Sequence, residues 1–135
     1  MWKAALIVAA LSAGTMSASQ ASAKVDFGRE IQLLLRDHCV ECHGSSQQMM
    51  GLRLDRRRDA LPNRVGANGA RIVPGNSAES LLYRRLTGMQ AGPQMPPTGP
   101  LPEAKIRLIQ AWIDQGAEWP DELSGERSPA SGTRQ

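Results

Sequence analysis

Both cysteines of this chain and one of its two histidines fall in one short run, Cys39-Val40-Glu41-Cys42-His43. No other feature limits the fold as tightly. Two intervening residues hold the thiols one tight turn apart, and an imidazole follows directly. The pattern C-x-x-C-H is the attachment site of c-type haem. Each thiol reaches one vinyl group on the same macrocycle edge to form a thioether. His43 then turns its imidazole under the iron as an axial ligand. One such motif predicts one haem c, bound covalently through Cys39 and Cys42.

Three other chemistries use cysteines at this spacing. A thioredoxin-like redox pair needs a surrounding βαβ pattern, which the sequence lacks. A zinc site takes four ligands, usually as two separated pairs. Here only His38 and His43 could join Cys39 and Cys42, all within one short stretch. A structural disulfide across two residues would constrain almost no chain entropy.

The start of the chain bears on where such chemistry would occur. Lys3 and the apolar run Ala4 to Leu11, ending in Ala21-Ser22-Ala23, read as a secretory signal peptide spanning 1–23. The expected location is the periplasm or another exported compartment, with no transmembrane segment in the mature chain. No apolar run approaches the ~18–20 residues of a membrane span. With 135 residues in all, one domain is expected, placed at 24–120, followed by a disordered polar tail at 121–135. A formal charge of +3 gives no argument for nucleic acid as a partner. Only 4% of the residues are aromatic, which predicts a thin apolar core completed by the macrocycle.

Hydrophobic periodicity predicts an all-α domain with about three main helices. Phe27, Ile31, Leu34, Leu35 and His38 lie on one helical face over 26–38, with Asp26 as the N-cap. A second helix is expected after Asn76-Ser77-Ala78-Glu79, with Asn76 as cap and Leu81, Leu82, Tyr83 and Leu86 as its stripe. A third runs from about Glu103 to Gln115, carrying Ile106, Ile109, Trp112 and Ile113, and Gly116 closes it. Between them, residues 44–75 show little periodicity, beyond a short extended alternation at Leu52 and Leu54. The run Arg56-Arg57-Arg58 reads as a solvated face, or as a surface for an acidic partner or a cofactor carboxylate.

A six-coordinate electron-transfer haem needs a second axial ligand, and methionine raises its potential. The candidates are Met49, Met50, Met89, Met95 and His38. Met95 stands in the stiff loop holding Pro93, Pro96, Pro97, Pro100 and Pro102. Prolines remove much of the entropy cost of fixing a ligand against a metal. Met49 and Met50 come too soon after His43 to leave its side of the ring. His38 abuts Cys39 and is expected to pack or hydrogen-bond rather than ligate. Met95 is therefore the expected distal ligand.

The runs Asp26-Phe27, Cys39 to Gly44, Gly51-Leu52-Arg53-Leu54-Asp55, Val73-Pro74-Gly75 and Ser80-Leu81-Leu82 resemble the planctomycete-type cytochrome c domain. So do Met95-Pro96-Pro97-Thr98-Gly99 and Trp112 to Trp119, so that the resemblance covers about 25–120. It implies a small cytochrome c-like fold of class I type, its helices wrapped around one covalently bound haem. It also implies His43 and the methionine of the M-P-P loop as axial ligands. The expected role is that of a mono-haem electron carrier or redox subunit, not an enzyme, serving an unidentified redox partner protein. The alternatives are a haem-based sensor, or a haem subunit of an oxidoreductase with a labile sixth ligand. A haem-free interaction module is a further class.

Overall fold

The computed structural model describes residues 23–61, 70–89 and 92–125. Four α-helices and no strands occur among them: α1 Gln32–His38, α2 Arg57–Ala60, α3 Leu81–Leu86 and α4 Glu103–Asp114. The all-α expectation holds, with one helix more than the sequence pattern gives. The expected signal peptide, apart from Ala23, lies outside the described residues, as does the tail beyond Gly125.

The first helical stretch begins where its cap predicts. Asp26 Oδ1 accepts from the Arg29 N–H at 2.8 Å, and Glu30 Oε2 accepts from the Asp26 N–H at 2.8 Å. These reciprocal bonds satisfy N–H groups that have no carbonyl one turn earlier. The first turn, Phe27–Ile31, is wound as π-helix, and α1 continues from it. Phe27, Ile31, Leu34 and Leu35 are buried, as the periodicity requires.

At the other end of the domain, α4 buries Ile109, Trp112 and Ile113. Gly116 follows it with φ 108°, a conformation that a side chain makes costly. Phe27 stacks on Trp119 at 4.3 Å between ring centroids and meets Trp112 at 5.7 Å. Both indole N–H groups are satisfied by carbonyls, Trp112 by Glu118 at 2.8 Å and Trp119 by Leu123 at 2.7 Å. The expected thin core is corrected by this packing. Three of the chain's few aromatics converge, and Ile31, Leu35, Leu86, Ile109 and Ile113 fill in around them.

Two boundaries move from their expected places. The second helix starts at Leu81, not after Asn76. Asn76 Oδ1 does accept from the Glu79 N–H, but it caps a turn. The N–H groups of Leu81 and Leu82 are taken by the carbonyls of Ala70 and Arg71, so α3 starts against that strand of chain. The turn itself is hooked to the end of α4: Ser77 donates from its N–H and its Oγ to the Asp114 carboxylate, at 2.8 and 3.1 Å.

Beyond Pro120 the chain does not turn directly into a tail. Asp121–Leu123 form a 3-10 turn, and Leu123 packs on the core. The Ser124 carbonyl accepts from the Arg57 N–H at 2.9 Å, which docks α2. No apolar stripe announces α2, because this contact and the fully buried Ala60 hold it in place.

Candidate functional site

Cys39 is the residue at which α1 ends, and its N–H still donates to the Leu35 carbonyl at 2.8 Å. The chain then turns tightly, with the His43 and Cys42 N–H groups both directed at the Cys39 carbonyl, at 2.9 and 3.2 Å. One turn thus carries Cys39, Cys42 and His43, as the spacing requires. Gly44 is needed directly afterwards, because a Cβ there would run into the Val40 carbonyl. The His43 carbonyl accepts from the Leu54 N–H at 2.7 Å, and the Cys42 carbonyl from the Met49 N–H at 3.1 Å. These bonds fold the Gly51–Asp55 run back beside the motif.

The two thiols differ. Cys39 is buried, and burial pushes its thiol up to about 11, because a thiolate loses its hydration there. Cys42 is half-buried, and both thiols are free. Burial also moves the His43 imidazole below its ordinary value, and the nearby Arg71 cation acts in the same direction. Both influences disfavour the charged imidazolium, and a metal ligand must be neutral. Its Nδ1 is buried without a hydrogen-bond partner. Two free thiols and an incompletely satisfied imidazole on one turn fit the donor set for a covalently attached haem.

The zinc alternative gains nothing from this arrangement. Among the described residues, no three His, Cys, Asp or Glu side chains gather into a metal site. His38 is engaged elsewhere: its Nε2 lies 2.7 Å from Lys105 Nζ on α4. With the ammonium donating, this nitrogen acts as an acceptor and holds α1 to α4.

The methionines separate clearly by exposure. Met49, Met50 and Met89 are exposed by 52%, 89% and 67%, whereas Met95 is partly buried and packs on the core. Its loop is pinned to α3 at three points. The Met95 N–H donates to the Arg85 carbonyl at 3.0 Å, and Gln94 Nε2 to the Leu86 carbonyl at 3.2 Å. Arg85 Nη1 reaches the Pro93 carbonyl at 3.3 Å. The Met95–Pro96 peptide is cis. Met95 thus lies on a different segment from the Cys39–His43 turn, held against α3.

The arginine run is not a bare solvated face. Arg56 pairs with Asp59, and Arg57 bridges the Trp119 carbonyl and Asp121. Arg58 is also bonded within the chain. Arg53 grips Asp55 with two bonds, at 2.7 and 2.5 Å, and holds that carboxyl below the ordinary carboxylate range. Arg71, which no sequence pattern singles out, is brought near His43 by the fold. Its only signal in sequence is a cation in a stretch without periodicity, and that is too little to single it out. A cleft of about 330 Å³ between residues 24–28 and 118–123 includes no residue of the C-x-x-C-H run.

No curated relative and no solved structure matches the chain. Residues 39–99, just under half of it, match the family described as Planctomycete cytochrome C. The match begins at the first thiol and ends with the glycine after Met95-Pro96-Pro97-Thr98. The site geometry and this match agree: residues 39–99 are similar to the Planctomycete cytochrome C family, and the C-x-x-C-H turn opens the matched stretch.

Proposed function

We propose that this protein is an exported mono-haem c-type cytochrome that passes single electrons through a His43/Met95-ligated iron. The observation that carries the reading is the Cys39–His43 turn lying inside the family match, with a free thiol at each attachment position. Bound there, haem supplies a one-electron couple at its iron. Cys39 and Cys42 fix the ring as thioethers, so that it cannot dissociate in either oxidation state. Burial favours the neutral His43 imidazole, with a lone pair to give.

Met95 offers a soft thioether from a loop already fixed to α3, so little ordering entropy opposes ligation. A methionine ligand favours the ferrous state and raises the potential. With both axial positions filled by the chain, small molecules have no open coordination site. The chain's own part would be to hold the group and to set its potential, with a partner protein exchanging the electrons. The signal peptide expected at 1–23 supports export, toward a compartment where covalent haem attachment takes place.

The test is the absorption spectrum of wild type and Met95→Ala, produced in a host that attaches haem. Wild type is expected to show the methionine–iron charge-transfer band and to exclude carbon monoxide. Met95→Ala is expected to lose the band, bind carbon monoxide when ferrous, and have a lower potential. Met49→Ala, Met50→Ala and Met89→Ala are expected to keep the band. Loss of the band in one of those three, with Met95→Ala unchanged, would overturn the ligand assignment. Carbon monoxide binding by wild type would replace the carrier with a sensor or a subunit with a labile ligand.

A further inference from the structure

Most arginines around the site are bonded within the chain, but among the described residues Arg71 has no carboxylate partner. Its side chain is half-buried, and no carboxylate among the described residues forms an ion pair with it. Among the described residues its guanidinium makes one hydrogen bond, a long one, from Nη1 to the Asp59 carbonyl at 3.4 Å. Leaving a half-buried cation so poorly partnered is costly unless an anion completes it.

The backbone holds Arg71 in place, because its carbonyl accepts from the Leu82 N–H at the start of α3. From there the side chain crosses toward Gly51, where Nη2 would lie 3.7 Å from an added Cβ. Gly51 ends the short turn Met49–Gly51 that is bonded back to Cys42. The free fork of Arg71 therefore lies over the loop that follows the attachment turn, within electrostatic reach of His43.

A haem brings two propionates whose charge must be met where the ring edge is buried. A guanidinium binds a carboxylate with two parallel N–H bonds, a geometry that lysine cannot reproduce. We propose that Arg71 holds a haem propionate and, as a positioning residue for the cofactor, raises the reduction potential of the iron. The proposal rests on the haem reading above. Arg71 opposes the added positive charge of ferric iron and neutralises a carboxylate that would favour it. Removing Arg71 withdraws both effects, so the ferric state gains.

The experiment uses holoprotein of wild type, Arg71→Leu, Arg71→Lys and Arg107→Leu. Arg107 is an exposed α4 residue that pairs with Glu103, so its variant removes the same charge elsewhere. Midpoint potentials are measured by spectroelectrochemical titration, and the propionate bending band is followed by resonance Raman. Arg71→Leu is expected to shift the iron equilibrium about tenfold toward ferric, ~59 mV lower, and to move the propionate band. Arg71→Lys is expected to recover part of the potential while the band still moves. Arg107→Leu is expected to change neither.

An unmoved band in Arg71→Leu or Arg71→Lys, with the wild-type potential, overturns the proposal. If Arg71→Leu does not fold, Arg71→Lys decides by the same band. Wild type without thioether-bound haem overturns the function itself, and this inference with it. A normal haem spectrum with unmoved bands overturns the inference alone.

Discussion

Around Phe27, Trp112 and Trp119, apolar side chains meet apolar side chains, and both indole N–H groups find carbonyls. From Cys39 to Leu61, by contrast, the chain is held by turn hydrogen bonds and arginine–carboxylate pairs, and polar groups are left over. His43 Nδ1 and Arg56 Nε are buried without hydrogen-bond partners, and the neighbouring Arg71 has no ion pair among the described residues. The first region is satisfied by its own residues. The second leaves buried polar atoms over. The terminal helices therefore form the frame, and the loops between them carry Cys39, Cys42, His43 and Met95, the proposed haem-binding residues.

The largest expected effect follows from the frame. Trp112 is 1% exposed and touches both other rings of its cluster. Trp112→Ala is expected to cost ~3–5 kcal/mol, a large share of what a small domain has to lose. Thermal unfolding monitored by far-UV circular dichroism checks this, and an unchanged midpoint would refute the frame.

Next comes the loop region. In Cys39→Ala with Cys42→Ala, covalent haem is expected to be lost entirely. Limited trypsin digestion should then cut first at arginines between Arg53 and Arg71 and later at Arg107 in α4. First cuts at Arg107 would reverse the comparison.

Ser80, fully buried, ties together the stretch of chain before α3. Its Oγ accepts from the Val73 N–H and donates to the Asn76 carbonyl, both at 2.8 Å. Ser80→Ala leaves the part-buried Val73 N–H without its acceptor and is expected to cost ~1 kcal/mol. Urea denaturation of wild type and variant measures it.

How much of this was legible in the sequence depended on whether the cause was local. The π-turn with α1, and α4, could be read because their apolar residues recur at helical spacing, with Asp26 and Gly116 marking their ends. The attachment turn could be read because its chemistry is contained in Cys39 to His43. The single turn α2 could not, since it exists through a bond from Arg57 to the distant Ser124. For the same reason the start of α3 was misplaced: its first N–H groups are satisfied by Ala70 and Arg71, not by the nearby cap at Asn76. Arg56 and Arg57 looked solvated because their partners, Asp59 and Asp121, are set by the fold.

A smaller effect separates the two thiols. In haem-free protein, Cys39 is raised to about 11 from an ordinary 9.0. The folded state thus favours the protonated thiol, and this contribution is complete below pH 9. It is lost as pH rises from there through about 11, because the unfolded chain ionises first. Iodoacetamide should label Cys42 ahead of Cys39 in the folded apoprotein, as peptide mapping would show. Equal rates would mean that Cys39 is not protected.

The central claim is that Cys39 and Cys42 carry one haem through thioether bonds. Its most direct test is intact-mass measurement, after acid–acetone extraction, of protein made in a host that attaches haem. The account predicts that the colour stays with the chain and that its mass exceeds the bare polypeptide by one haem. Colour passing into the solvent, with the mass of the bare chain left behind, would contradict it.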